Sequence, residues 1–264
     1  MLRFVINSIL LSIVVTMASQ GAQGSAQEAG DNQQAKAEAL IREAIKARGG
    51  DVYLNTRSSV SRGNYTPFDK GVSTVPDSFV DYIVYPDRER TEFGKGKRRF
   101  VQVNSGKNGW VYEAANNMIR DQTEEQVNRF QQGLSYDLDY LLRRGWQEPG
   151  AKLSYLGRRE PWRNTFSEAV RIEYKGGGSA TLHLDPRTKL PIMTEYKIVV
   201  DGAPTENQAR FFRWVEFEGR LVPTIIDYYR DGKQTARASF DSFSFNTDIP
   251  EKLFAKPSDV KEVK

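Results

Sequence analysis

The sequence predicts a mainly β fold, one antiparallel sheet with helical insertions. Segments with period-two alternation recur along most of the chain, turn dipeptides separate them at short intervals, and only two stretches place apolar residues three or four apart. The clearest case is residues 179–200. Ala180, Leu182 and Leu184 alternate with Thr181, His183 and Asp185, and Asp185-Pro186-Arg187-Thr188 supplies turn chemistry. The returning run puts Ile192, Tyr196, Ile198 and Val200 on one face, with Glu195 and Lys197 on the other.

Residues 1–26 read as a secretory signal peptide. Arg3 precedes an apolar run from Phe4 to Met17, and small residues at Ala22, Gly24 and Ala26 suit a cleavage site. That run is short of the roughly 20 apolar residues a spanning helix needs, and no later stretch is apolar enough to span, so a soluble mature chain is expected. Residues 27–34 are polar and expected to be disordered. A helix is predicted from Ala35 to Arg48, with Leu40, Ile41, Ala44 and Ile45 on one stripe and Gly49-Gly50 ending it.

Strands are then expected near 54–65, 78–86, 88–94, 97–104 and 109–113, the last led in by the hairpin signal Asn108-Gly109. Thr123 and Gln126 form a capping box for a helical region reaching about Arg144, which Gly133 is expected to divide. A meander follows near 152–160, 166–175, 179–185, 190–201, 208–218, 221–230 and 234–245. In 208–218, alternation sends Phe211, Val215 and Phe217 one way and Phe212 and Trp214 the other, so both faces are apolar. No linker or repeat interrupts residues 35–257, which are expected to form a single domain with a frayed tail at 258–264.

The chain of 264 residues has no cysteine and one histidine. Disulfides, thiolate metal sites and a cysteine nucleophile are excluded, and export without disulfides suits a bacterial envelope. The formal charge of +4 falls to +3 with Arg3, the one charged residue of the signal segment. The basic residues are dispersed, which gives no nucleic-acid signature. His183 reads as a surface histidine on the polar face of its strand, and Asp137 and Asp139, two apart in a helix, are a poor acid/base pair. No catalytic, metal or cofactor constellation emerges, and the chain is expected not to be an enzyme.

Several segments, in order, resemble the LolA/LolB-like outer-membrane lipoprotein carrier and sorting family. They are Ala47-Arg48-Gly49-Gly50, Asn108-Gly109-Trp110-Val111, Tyr155-Leu156-Gly157-Arg158, Leu184-Asp185-Pro186-Arg187-Thr188-Lys189-Leu190-Pro191, Val222-Pro223, and Asn246 through Ile249-Pro250 to Phe254 and Pro257. The chain is longer than the short carriers around 62–78 and 158–166. The resemblance implies a strongly curved antiparallel sheet, an unclosed barrel, with helices as a lid over its concave side. It also implies a periplasmic monomer that shelters the acyl chain of a lipid or lipoprotein, or, as the alternative, an envelope sensor or protein-interaction module of the same fold. The cavity candidates are Phe130, Leu134 and Leu138 on the lid and Trp110, Phe211 and Trp214 on the sheet. Lys97, Arg98 and Arg99 are candidates for a rim that meets head groups or a partner, and otherwise form a solvated edge.

Overall fold

The computed structural model describes residues 18–200 and 203–263, so residues 1–17 of the expected signal peptide lie outside the described residues. Helix α1 spans Ala18–Ala47 and α2 spans Asp51–Leu54. The first helix thus extends back through 27–34, the segment expected to be disordered. Gln, Ala and Glu there favour helix intrinsically, and residues 30–36 remain solvent-exposed.

The first strands are β1 (Ser58–Asp69), β2 (Val72–Ser73), β3 (Asp77–Val84), β4 (Arg88–Phe93), β5 (Phe100–Ser105), β6 (Asn108–Glu113) and β7 (Met118–Asp121). Helices α3 (Glu124–Leu134) and α4 (Leu138–Arg143) follow. The chain ends with β8 (Lys152–Trp162), β9 (Thr165–Glu173), β10 (Ser179–Leu184), β11 (Pro191–Val200), β12 (Ala203–Phe217), β13 (Arg220–Arg230) and β14 (Lys233–Phe245). The expected strands are present, and the two short ones, β2 and β7, were not legible.

All of these strands belong to one antiparallel sheet ordered β7-β6-β5-β4-β3-β1-β14-β13-β12-β11-β10-β9-β8, with β2 beside β1. The end strands β7 and β8 do not pair, so the barrel is unclosed. The segment joining β7 to β8 is α3 and α4. The topology therefore carries these helices across the mouth of the curved sheet. The capping box forms as expected: Gln126 N donates to Thr123 Oγ1 at 3.2 Å and Thr123 N to Gln126 Oε1 at 3.0 Å. The break falls after Leu134 and not at Gly133. Asp137 caps α4, its Oδ1 accepting from Asp139 N at 2.8 Å.

Beneath α1, its buried stripe of Leu40, Ile41, Ala44 and Ile45 packs with Leu141, Leu142 and Trp146 against Leu153, Ile172 and Leu182 of the sheet. A second cluster lies on the outer face, where Val101, Val103, Trp110 and Tyr112 are covered by Phe254 and Val263. The tail expected to fray at 258–264 instead packs as far as Val263, with Arg99 Nη2 donating to the Val263 carbonyl at 2.8 Å.

Two irregularities set which side chains face inward. Between Arg62 and Gly63 the β1–β14 register shifts, leaving Asp241 without a partner. This bulge lets Phe240 and Phe243, three apart, stack at 5.0 Å. Gly63 is required there, since a Cβ would sit 2.0 Å from the Ser239 carbonyl. In β12, Arg213 adopts φ 53°. Alternation breaks at that residue, so Trp214 joins Phe211 on the inner side, ring centroids 6.4 Å apart, while Phe212 meets Trp162 outside. The expectation that Phe211 and Trp214 face opposite ways is corrected by that one backbone conformation.

A candidate apolar binding site

The inner face of β11, β12, β13, β14, β1, β3 and β4 forms a hollow bordered by α4 and the end of α1. One compartment of about 310 Å³ is walled by Tyr196, Phe211, Ile226, Tyr228, Phe240 and Phe243. A second, of about 340 Å³, lies under α3 and α4 and shares Ile83, Tyr85 and Glu89 with the first. Both volumes fall in the range that holds small apolar ligands.

A buried tie fixes α4 at the edge of this hollow. Arg48, at the end of α1, donates from Nη1 to Asp139 Oδ1 at 2.6 Å and to the Tyr53 hydroxyl at 2.9 Å. Tyr53 donates to the same carboxylate oxygen at 2.9 Å and Tyr85 to the other at 2.6 Å. Gly49 makes this corner possible: its φ is 120°, and a Cβ would meet the Gly219 carbonyl at 2.4 Å. Burial pushes the Asp139 carboxyl up, but the Arg48 charge, the Tyr85 hydroxyl and the Arg143 charge together hold it below the usual range.

Three further carboxyls border the hollow and have no ion-pair partner among the described residues: Asp81 on β3, Glu89 on β4 and the cap Asp137. Burial, with repulsion from Asp137, raises Asp81 to about 7 despite the 2.9 Å hydrogen bond from Thr91. Burial and the charges of Asp81 and Asp137 raise Glu89 to about 8. Asp137 rises to about 6 through burial and Asp139. Its carboxyl keeps accessible surface because it opens into the hollow, yet protein surrounds it at longer range. Asp137 and Asp139, expected to lie apart, thus border the same space, since Asp137 sits before the helix and not within it.

Of the residues singled out from the sequence, Leu138 and Phe211 line the first compartment, and Phe130 and Leu134 the second. Trp214 packs beside Phe211 and 5.5 Å from Arg48 but does not line either compartment. Trp110 lies on the outer face, its indole N–H donating to the Phe254 carbonyl at 2.9 Å. Lys97, Arg98 and Arg99 do not line the hollow. Arg98 pairs with Asp77 at 3.1 Å and Arg99 with Glu92 at 2.9 Å.

His183 is not on the surface. It is 4% exposed, with Nδ1 2.9 Å from Ser167 Oγ and Nε2 3.4 Å from Glu195 Oε1. The β8–β9 hairpin brings Trp162 over Phe212 and Arg210 on that outer side. Ser167 is fully buried, so no substrate reaches its hydroxyl in this conformation. Among the described residues no helix is long and apolar enough to cross a membrane.

No protein-family model matches the chain, and no curated protein is similar to it in sequence. Solved structures are similar in fold. A DUF1329 family protein from Desulfovibrio piger superposes with a TM-score of 0.56 at 13% identity, over 83% of this chain and 97% of its own. A LolA superfamily protein from Nitrosomonas europaea gives 0.54 at 12% identity over the same shares. A domain assigned to outer membrane lipoprotein sorting in Vibrio parahaemolyticus gives 0.53 at 11% identity, again over 83% and 97%. The chain has the LolA-like fold.

Proposed function

We propose that this protein is an exported, non-enzymatic carrier that shelters an acyl chain of a lipid or lipoprotein in the hollow beneath α3 and α4. The observation that supports this reading best is an aromatic and aliphatic cavity bordered on one side by a helix without a single buried residue. Burying one methylene is worth about 0.8 kcal/mol, so part of an acyl chain held there gives useful affinity. Release requires a small surplus, and α3 supplies the competitor: Phe130 and Leu134 cover the second compartment when it is empty and make way when it is filled. The full burial of Ser167 beside His183 favours carriage over hydrolysis. The signal segment and the kind of relative that shares the fold favour the bacterial periplasm, with the chain acting as a monomer.

The test is titration of delipidated protein with a neutral pyrene-labelled alkyl probe. Saturable uptake, competed by a diacyl lipopeptide, is expected. Linear, non-saturating partition would overturn the reading. A stable envelope protein captured by a chain that takes up no probe would favour the sensor alternative.

A further inference from the structure

The hollow is apolar on its walls but acidic at one end, where three carboxyls have no ion-pair partner among the described residues. Asp81, Glu89 and Asp137 border it from β3, β4 and the start of α4. The two arginines that line the first compartment are engaged, while Arg88, Arg143 and Arg144 line the second alone. Arg48 is bound to Asp139, and Arg220 donates to Thr56 Oγ1 and the Glu218 carbonyl, both at 2.7 Å, while lying 4.6 Å from the Phe245 ring. A second feature is independent of the acids. Ser59, Ser61 and Thr194 line the same space, each more than nine-tenths buried, and their hydroxyls have no hydrogen-bond partner among the described residues. Ser61 stands directly opposite Asp81 in the β1–β3 ladder. These oxygens are open to the cavity, so the wall offers acceptors to a polar group that enters it.

Carboxylates, hydroxyls and the aromatic rings of Tyr196, Tyr228 and Phe240 lining one cavity form the chemistry that recognises an organic cation. Carboxylates supply charge, hydroxyl oxygens accept from an N–H or turn their negative end to the polarised C–H groups around a quaternary nitrogen, and aromatic rings attract a positive centre. In the first compartment an anionic head group would meet uncompensated carboxylates and two guanidiniums that are already engaged. No group of three or more acidic or histidine side chains among the described residues is placed to hold a metal ion, which favours an organic cation.

We infer that the hollow selects an amphiphile with an ammonium head, the head seated among Asp81, Glu89 and Ser61 and the alkyl chain running along the aromatic wall. This rests on the carrier reading and specifies the class of its cargo. Burial disfavours the ionised form of Asp81 and Glu89, and an entering cation would favour it.

The experiment displaces the neutral pyrene-labelled probe at pH 8 with dodecyltrimethylammonium, dodecanol or dodecanoate, each below its micellar concentration. Dodecyltrimethylammonium is expected to displace it at a concentration at least about tenfold lower than dodecanoate. The double variant Asp81→Asn/Glu89→Gln should lose that preference and leave displacement by dodecanol within about twofold, with Glu89→Gln alone as the milder variant should the double one misfold. Equal or tighter binding of dodecanoate, or a preference that survives both variants, overturns the inference and leaves the carrier reading intact. Tetramethylammonium binding as tightly as the amphiphile would also overturn it, by pointing to a small soluble cation. If neither probe nor dodecanol binds, the carrier reading itself fails.

Discussion

Arg48 and Asp139 show how one ion pair holds the lid's base to the sheet. Replacing Arg48 with Met would leave Asp139 buried beside two tyrosines with no cation at bonding distance, a loss of about 3–5 kcal/mol by the usual penalty for an orphaned buried charge. Urea unfolding of R48M measures it, and an unchanged midpoint would contradict this role. The carboxyls around the hollow divide by sign. Asp139 is held below its ordinary 3.8, so its contribution is present above that value and lost as pH falls through its folded value. Asp81 and Glu89 are raised to about 7 and about 8 from 3.8 and 4.5, so their contribution is complete below about 4 and is lost as pH rises to about 8. The empty protein should therefore melt at a lower temperature at pH 8 than at pH 5, and Glu89→Gln should narrow the gap by raising the pH 8 value. A melting temperature that climbs from pH 5 to pH 8 and ignores E89Q would show that these carboxyls are not strained by burial.

At the scale of elements, α3 and α4 differ in what anchors them. Leu138, Leu141 and Leu142 of α4 are buried, whereas α3 has only partly covered side chains such as Phe130. Amide exchange should be fast across 124–134 and slow across 138–143, with ligand slowing the first stretch, since local opening follows buried contacts. Equal protection of both in the empty protein would rule out a lid that lifts separately. Substitution tells the same difference. Leu141→Ala should cost about 2–5 kcal/mol through the cavity it leaves in the core. Phe130→Ala should alter stability by no more than about 0.5 kcal/mol and weaken probe uptake. A large stability loss in F130A would place Phe130 in the structural core.

For the whole molecule, the order of strands and helices was legible because alternation, turn dipeptides and the capping box are local signals. The Asp185 turn is one example, its carboxylate accepting from Thr188 N at 2.7 Å as the sequence implied. What escaped was whatever depends on a break in periodicity or on closure of the sheet. The facing of Trp214 turned on one positive φ at Arg213, and the stacking of Phe240 on Phe243 turned on the bulge at Asp241. Nothing in the local pattern around His183 shows that the β8–β9 hairpin folds over its strand. The acidic end of the hollow was hidden for a different reason. Asp81 and Glu89 are neighbours across the β3–β4 hairpin, but Asp137 joins them only when the chain crosses from one edge of the unclosed sheet to the other, and each alone reads as an ordinary surface charge. Of the cavity candidates, those on α3 and α4 were placed by helical spacing, whereas Trp110 was drawn to the outer face by a C-terminal tail whose packing has no periodic signature.

The central claim is that this hollow carries an apolar guest. Native mass spectrometry of the protein purified from its own cells without detergent tests it most directly. The account predicts a bound species a few hundred daltons or more in mass that an organic solvent extracts as a lipid and that E89Q retains less well. A spectrum containing only the bare chain, together with no saturable uptake of the neutral probe, would contradict it.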